Sequence, residues 1–253
     1  MERSTGFRER LRSREPLIGT WVKSPSPVVC EVLADTDLDL ICIDAEHAPF
    51  DRLTQDLCLQ HLRSADMPAF VRIPAAREEY ILNALDCGAT GVVIPHVTSA
   101  AMAEAMVKAS HFGPGGRGYA GSTRAAGYTT RAMGDHLEGS ASATTVIAQI
   151  EDLEALDAID EIAQVDGVDC LFIGRIDLTV AMKAESPKAA EVVEAVERVC
   201  AAGREAGVAV GMFVGDMAEV PHWKEAGASL FILGSDHGFL RQGAASLVSA
   251  FRA

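Results

Sequence analysis

Eight short apolar runs alternate with longer amphipathic stretches, and this alternation limits the possible folds more than any other feature of the chain. Most runs are rich in Val, Ile, Leu or Phe without strict polar alternation, which is typical of strands covered by helices on both faces. The predicted strands are Leu17–Trp21, Leu38–Asp44, Ala69–Ile73, Gly91–Pro95, Thr145–Ile150, Val168–Ile173, Val208–Val214 and Ser229–Leu233.

Helical patterns fill most of the spaces between these runs. Several end in a glycine, a common helix stop, as at Gly88, Gly207 and Gly227. A short surface helix is also expected within Met1–Glu15. The other predicted helices are Asp51–Ala65, Glu78–Cys87, Ser99–Ser110, Leu153–Val165, Pro187–Ala206, Met217–Ala226 and His237–Phe251.

Eight strands separated by helices favour a closed (β/α)8 barrel, the TIM barrel, with an open doubly wound sheet as the alternative. The length of 253 residues suits this α/β fold, which typically takes about 250 residues. Because no composition break or linker marks a second domain, we expect one domain over residues 1–253. The connection from Gly113 to Gly134 is long and irregular, and such loops are usually functional or mobile.

The charge balance narrows the classes of partner. The chain has 22 Lys and Arg against 36 Asp and Glu, a net charge of -14, and such a surface repels nucleic-acid phosphates. No apolar run approaches the roughly 20 residues needed to span a bilayer, so no membrane partner is expected. A small anionic substrate would need local positive groups or a metal ion to offset this field.

The six cysteines form no CxxC pair, which argues against a zinc cluster or a redox motif. Cys42 and Cys170 lie inside apolar runs, so we interpret them as small buried apolar groups. Because no secretory apolar segment opens the chain, we expect a reducing, cytoplasmic location.

Polar residues collect where the predicted strands end, and barrel enzymes carry their chemistry at the carboxyl ends of the strands. We therefore expect acids, histidines and arginines to converge on one rim. In strand order these segments are Trp21-Val22-Lys23, Asp44-Ala45-Glu46-His47, Arg72, Pro95-His96, Gln149-Ile150-Glu151-Asp152, Gly174-Arg175-Ile176-Asp177, Gly215-Asp216 and Gly234-Ser235-Asp236.

Two acids at this rim suggest a metal site. Glu151 and Asp177 follow neighbouring strands, and two carboxylates with waters and substrate oxygens are a usual set for Mg²⁺. Either acid alone is better explained as a helix cap or as the partner of an arginine. Together, on adjacent strand ends, they favour a shared divalent cation.

A histidine and an arginine suggest proton transfer and charge stabilisation. His47 lies three residues after Asp44, and a histidine beside a carboxylate can act as a general base. The alternative is a neutral histidine satisfied by its own loop. Arg72 interrupts an apolar strand, so its buried charge needs either a structural acid or an anionic substrate. His96 and His237 also face the rim and are kept as further candidates.

Two other patterns are less informative. The segment 113–118 matches GxGxxG, but it follows a helix rather than a strand, so it does not predict a dinucleotide site. Lys23 is the only rim lysine that a Schiff-base aldolase could use.

Three motifs, taken together, are specific: Asp44-Ala45-Glu46-His47, Gln149-Ile150-Glu151 and Phe172-Ile173-Gly174-x-x-Asp177-Leu178. With them the chain resembles the HpcH/HpaI aldolase family, metal-dependent class II aldolases acting on pyruvate-like donors. The resemblance runs nearly end to end. Its other segments are Phe7-Arg8-Glu9-Arg10-Leu11, Ile18-Gly19-Thr20-Trp21, Val71-Arg72-Ile73-Pro74, Leu85-Asp86-Cys87-Gly88-Ala89 and Gly234-Ser235-Asp236.

The resemblance implies a cation site and a proton-transfer pair. It implies that Glu151 and Asp177 ligate a divalent cation, Mg²⁺, Mn²⁺ or Co²⁺. It also implies that His47, paired with Asp44, transfers protons through water, and that Arg72 steadies an enolate oxygen.

The resemblance further implies a donor pocket and an assembly. Gln149 would line the pocket for the 2-keto acid, and backbone N–H groups beside Gly174, at Ile176 and Asp177, would hold the donor carboxylate. The chain would form a homo-oligomer, a hexamer built as a trimer of dimers, with the last helix exchanged between subunits.

The implied reaction is the reversible aldol cleavage of 4-hydroxy-2-oxo acids to pyruvate or hydroxypyruvate plus an aldehyde. Three alternatives stay open: a Schiff-base aldolase using Lys23, a citrate-lyase-like enzyme acting on an acyl-CoA, and a non-catalytic barrel. The chain departs from the family pattern at Arg175, Ile176 and Lys183 and within 111–118, which bears on the donor and the acceptor.

Overall fold

Each predicted apolar run forms a strand, and the eight strands pair in parallel in chain order, with the last closing on the first. The expected (β/α)8 barrel is therefore confirmed over residues 3–253, the part of the chain that this computed structural model describes. The strands are β1 Leu17–Val22, β2 Leu40–Asp44, β3 Ala69–Arg72, β4 Gly91–Ile94, β5 Thr145–Ile150, β6 Cys170–Ile173, β7 Ala209–Val214 and β8 Leu230–Ser235.

The helices agree with the predicted ones in most places and differ in four. The segment 153–165 is divided in two at Ala158, and three helices lie where no helix was predicted, at residues 27–34, 133–143 and 175–181. Pro27 occupies the first turn of the first of these, where its missing N–H costs nothing. The helices are α1 Arg3–Arg12, α2 Pro27–Ala34, α3 Arg52–Ser64, α4 Glu78–Asp86, α5 Ala100–Ser110, α6 Met133–Ala143, α7 Leu153–Asp157, α8 Ile159–Ala163, α9 Arg175–Ala181, α10 Ala190–Ala206, α11 Val220–Ala226 and α12 Asp236–Arg252, with a 3₁₀ turn at Met217–Glu219.

Alternate residues of each strand point into the barrel, so the strands have two apolar faces. One core cluster lies between strands and helices, and a second fills the barrel with residues such as Cys42, Phe70 and Ile147. The next inward positions toward the carboxyl ends are Asp44 and Gln149, both buried. Two-residue periodicity therefore carries each strand from an apolar lower layer to a polar upper layer.

The first helix is not a surface helix, as the sequence suggested, but closes the amino-terminal end of the barrel. Phe7 and Leu11 of α1 are fully buried, and the ring of Phe7 lies 5.0 Å from that of Phe70. Arg8 is buried too, because its Nε donates to Asp169 Oδ1 over 2.9 Å. The arginine-rich composition concealed an amphipathic helix, and residues 1 and 2 of the predicted segment lie outside the described residues.

The last helix contributes almost nothing to the core. Asp236 is the only buried residue of α12, and everything after it is exposed. The exposed residues include large apolar ones: Phe239, Leu240, Leu247, Val248 and Phe251. Within residues 3–253, no helix combines the length and apolar content that crossing a membrane requires.

Candidate active site at the carboxyl end of the barrel

A buried carboxylate at the end of β2 is held by two cations. Arg72, at the end of β3, donates from Nε and Nη2 to the two oxygens of Asp44 over 3.0 and 2.7 Å. Lys23, directly after β1, places Nζ 2.8 Å from Asp44 Oδ2. The anionic partner that the buried Arg72 requires is therefore a structural acid, presented by the adjacent strand in register.

The electrostatics of this group keep its charges fixed. Burial opposes ionisation of Asp44, but the hydrogen bonds and charges of Arg72 and Lys23 lower its pKa to about 2. Burial also opposes the charge on Arg72, yet Asp44 and Glu46 raise the pKa of Arg72 above its usual value. The guanidinium lies 4.4 Å from the ring centroid of Trp21, which adds a cation–π contact.

His47 is reachable from the rim, and its backbone rather than its ring contacts Asp44. The backbone N–H of His47 donates to Asp44 Oδ1 over 3.1 Å. Its side chain is 56% exposed, with Nε2 3.7 Å from Glu46 Oε2. Asp44 thus fixes the turn that carries His47 and leaves the imidazole free to meet a ligand.

Glu151 is a second buried carboxylate, just after β5. It accepts hydrogen bonds from Gln149 Nε2 and, over 2.9 Å, from the backbone N–H of His96. Burial is the main cause of a raised pKa for Glu151, and the negative charge of Asp177 adds to it. Within residues 3–253 its partners are Gln149 and His96, and none is a lysine or an arginine.

The turn after β6 leaves room for this acid. A Cβ on Gly174 would lie 2.5 Å from the Glu151 Cβ and 2.7 Å from Oε2, so a side chain there would displace the carboxylate. The turn therefore requires glycine at position 174 through close approach to Glu151.

Three side chains surround a space suited to a cation. Ligand atoms of Glu46, His96 and Glu151 all lie within 4.8 Å of one another. Gln149 Oε1 is buried without a hydrogen-bond partner, and Glu46 Oε2, which also makes no hydrogen bond, lies 3.3 Å from Arg72 Nε. Oxygen-rich donors, an orphaned amide oxygen and a carboxylate with a raised pKa fit a divalent cation, which would neutralise Glu151 and Glu46.

The helix after β6 holds the remaining predicted residues. Asp177 and Ile176 lie exposed in the first turn of α9, and Asp177 is not in the cluster of Glu46, His96 and Glu151. The N–H groups of a first helical turn have no partner within the helix, so they are available for a ligand. Arg175 points elsewhere, with its Nη1 2.6 Å from Glu219.

The sequence analysis assigned no role to Glu46 or His96, and it considered Lys23 only for an alternative mechanism. Glu46 was part of the recognised motif without a role, and His96 was a reserve candidate. Lys23 was considered as a Schiff-base nucleophile, and the structure pairs its Nζ with the buried carboxylate of Asp44. Lys23, Glu46 and His96 all lie within two residues of a strand end, and this position is the feature of the sequence that could have identified them as site residues.

An eight-stranded barrel with acids, two cations and histidines gathered at its carboxyl rim defines the protein as a (β/α)8-barrel enzyme. Residues 17–242 match the family model described as HpcH/HpaI aldolase/citrate lyase. The chain belongs to this family and is a carbon–carbon lyase of the aldolase type.

Relatives agree with this assignment. The chain is 32% identical over 238 residues to a hydroxypyruvate/pyruvate aldolase of Paraburkholderia phytofirmans, covering 91% of each chain. It is 33% identical over 248 residues to a 4-hydroxy-2-oxo-heptane-1,7-dioate aldolase of Salmonella dublin, covering 98% of this chain and 94% of the relative. The crystal structure of an HpcH/HpaI aldolase/citrate lyase family protein from Burkholderia cenocepacia superposes with a TM-score of 0.93 at 34% identity, covering 98% of this chain and all of that one.

Proposed function

We propose that the protein is a divalent-metal-dependent class II aldolase that reversibly cleaves 4-hydroxy-2-oxo acids to pyruvate or hydroxypyruvate and an aldehyde. The observation that carries the proposal is Glu151, a buried carboxylate without a lysine or arginine partner, beside Gln149, whose buried Oε1 has no hydrogen-bond partner. Relatives named for aldol reactions of such keto acids support it.

In this proposal Glu151 and Asp177 hold the cation, Mg²⁺, Mn²⁺ or Co²⁺. A divalent cation held there would supply Lewis acidity, which would make the C3 protons of the keto-acid donor more acidic. Asp177 lies exposed in the first turn of α9, and its negative charge contributes to the raised pKa of Glu151.

Arg72 steadies the negative charge that develops on the enolate oxygen. Its raised pKa keeps it charged throughout the cycle, and Asp44 together with Trp21 fixes the plane of the guanidinium. A donor held in place before the reaction needs no reorganisation, and one such donor is worth about 10²–10³-fold in rate.

His47 moves the proton. In the cleavage direction it takes the proton of the C4 hydroxyl, and in the condensation direction it returns one, through water where needed. Because Asp44 binds the backbone N–H of His47 rather than its ring, neither ring nitrogen is committed to Asp44, and the half-exposed imidazole can meet the substrate.

The donor pocket lies between β5 and β6. Gln149 lines it from β5, and the backbone N–H groups at Ile176 and Asp177, which follow Gly174, bind the donor carboxylate. A protein of net charge -14 can bind this anion because nearby cations dominate the local potential and solvent screens more distant acids, with a Debye length of about 8 Å.

The proposal includes a homo-oligomer, a trimer of dimers in which α12 is exchanged between subunits. The exposed apolar side chains of α12 support this, since a monomer rarely exposes so continuous an apolar helix. Exposed Val28 and Val32 on α2 and Leu53 on α3 supply apolar surface for a neighbouring subunit.

The exchange of pyruvate C3 protons with D₂O tests the function. We expect mass-detected exchange in the presence of Mg²⁺ or Mn²⁺, its loss with a chelator, and a fall of at least about 10²-fold in Glu151→Gln. Glu154→Gln, an exposed acid three residues on, serves as the matched control.

Each rival gives a different result in this assay. Exchange that survives chelation, with borohydride trapping of pyruvate on Lys23, would replace the proposal with Schiff-base chemistry. Metal binding without any exchange of keto-acid protons would indicate a non-catalytic barrel.

A further inference from the structure

His96 has a geometry that the proposed function does not use. It directly follows β4 and has φ +54°, in the left-handed region where residues other than glycine are uncommon. This backbone conformation directs its N–H to Glu151 Oε1 over 2.9 Å and places ring atom Nδ1 3.4 Å from the same oxygen. His96 therefore approaches Glu151 with both its backbone N–H and its ring.

The separations of the surrounding atoms suit coordination of one ion. His96 Nε2 lies 3.7 Å from Glu46 Oε1, and one ring nitrogen of His96 lies within 4.8 Å of a carboxylate oxygen of both Glu46 and Glu151. Two ligand atoms each about 2.1 Å from an ion are about 3 Å apart when adjacent and about 4.2 Å apart when opposite. Small side-chain rotations would bring all three onto a single ion.

A neighbouring acid orients the imidazole. His96 Nδ1 lies 3.0 Å from Asp152 Oδ2, so Nδ1–H donates to that carboxylate, and in the neutral imidazole Nε2 carries the lone pair that a metal ion needs. Histidine ligands of metals almost always donate their second ring N–H in this way. Glu46 provides a further observation: its side chain is only 9% exposed, and Oε2, which lies 3.3 Å from Arg72 Nε, makes no hydrogen bond.

We propose that His96 Nε2, together with Glu46, completes the coordination of the cation held at Glu151, and that the imidazole shifts the preference of the site from Mg²⁺ toward transition ions such as Co²⁺. The inference rests on the proposed function, because it assigns His96 to the same cation. Imidazole suits first-row transition ions, whereas Mg²⁺ favours oxygen ligands.

Metal binding to the full chain, stripped with a chelator and reloaded, tests this inference without an activity assay. Calorimetric dissociation constants for Co²⁺ and Mg²⁺ are compared in the wild type, His96→Gly, Asp152→Asn and His237→Gln. Glycine accepts the positive φ at position 96, so the backbone and its N–H are retained. His237, an exposed rim histidine outside the cluster, is the matched control.

We expect His96→Gly to weaken Co²⁺ binding at least about 10-fold, Asp152→Asn to weaken it about 10-fold, and His237→Gln to leave it unchanged. Mg²⁺ binding should change by less than about 3-fold in His96→Gly. Pulsed electron paramagnetic resonance of the Mn²⁺-loaded protein should show coupling to an imidazole nitrogen in the wild type and none in His96→Gly.

Equal Co²⁺ affinity in the wild type and His96→Gly, without a nitrogen coupling in the wild type, would overturn the inference. Glu151→Gln separates this result from failure of the proposed function. If Glu151→Gln abolishes Co²⁺ binding and His96→Gly does not, only the role of His96 fails. If the wild type binds neither ion with pyruvate present, the cation site fails with it.

Discussion

Two buried residues at the rim, Asp44 and Arg72, keep their charges near neutral pH. Asp44, with a pKa of about 2, remains a carboxylate, and Arg72 remains a cation beside it. Lys23 adds a second positive group to the same carboxylate, so these three residues carry a net positive charge. Arg72 also contacts a second acid, with its Nε 3.3 Å from Glu46 Oε2.

Removing the guanidinium tests its role. We expect Arg72→Ala to lower kcat/KM by at least about 10²–10³-fold, because one preorganised donor is lost. Stability should fall too, with an upper range of about 3–5 kcal/mol for a broken buried pair, since Lys23 partly compensates Asp44. Steady-state kinetics and urea unfolding measure the two effects.

Arg77→Ala is the control for this change, because Arg77 is exposed and pairs with Glu79 on the surface. It should leave both the turnover and the unfolding free energy near those of the wild type. Near-normal turnover in Arg72→Ala would refute the assigned role.

The site residues that could be predicted from the sequence lie on strands, whereas those that could not lie just past the strand ends. Asp44, Arg72 and Gln149 continue the two-residue alternation of apolar strands, so their inward position follows from the pattern. His96 and Glu46 lie past the strand ends, where torsion angles decide direction. The positive φ of His96 cannot be derived from its neighbours in the sequence.

Among the secondary-structure elements, hydrogen bonds and ion pairs between the segments that follow neighbouring strands stabilise the rim. Asp236, at the start of α12, accepts the backbone N–H groups of Lys23 and Ser24, each over 2.9 Å. This joins the turn after β1 to the end of β8, where the barrel closes. Arg175 and Glu219 make a similar connection between α9 and the turn after β7.

Asp236 should make the stability of the barrel sensitive to acid. Burial opposes its ionisation, but the Ser24 and Lys23 donors lower its pKa below the unfolded value of about 3.9. The carboxylate therefore stabilises the fold above about pH 4, and this contribution is lost as pH falls through the lower folded pKa.

We expect Asp236→Asn to cost about 1–3 kcal/mol at neutral pH, because one backbone donor loses its acceptor. The difference from the wild type should shrink between about pH 5 and pH 2. Urea unfolding across this range measures it, with the exposed Asp37→Asn as control. A difference that is independent of pH would contradict the linkage.

The helices and strands that could be predicted from the sequence are those with a simple pattern of apolar residues. All eight strands appear within a few residues of their predicted bounds, since both of their faces are covered by apolar neighbours. The first helix was misplaced because its four arginines conceal Phe7 and Leu11, and burial of Arg8 depends on Asp169, more than 150 residues away. Such long-range pairing leaves no local trace in the sequence.

For the whole molecule, the exposed last helix predicts an assembly. We expect light scattering to show an oligomer, and Leu240→Glu with Leu247→Glu to yield smaller particles, because each charge replaces an exposed apolar contact surface. Gln242→Glu adds the same charge at a polar position of α12 and is the control. A monomeric wild type, or an unchanged assembly in the double variant, would rule out this role.

The central claim is that a divalent cation binds at Glu151 and receives the keto acid. Crystals soaked in Mn²⁺ and pyruvate test it most directly, through anomalous scattering at the rim. We predict a single manganese peak within coordination distance of Glu151, with pyruvate beside it and Arg72 still paired to Asp44. A map without such a peak, or with Glu151 turned onto an internal arginine, would contradict the account.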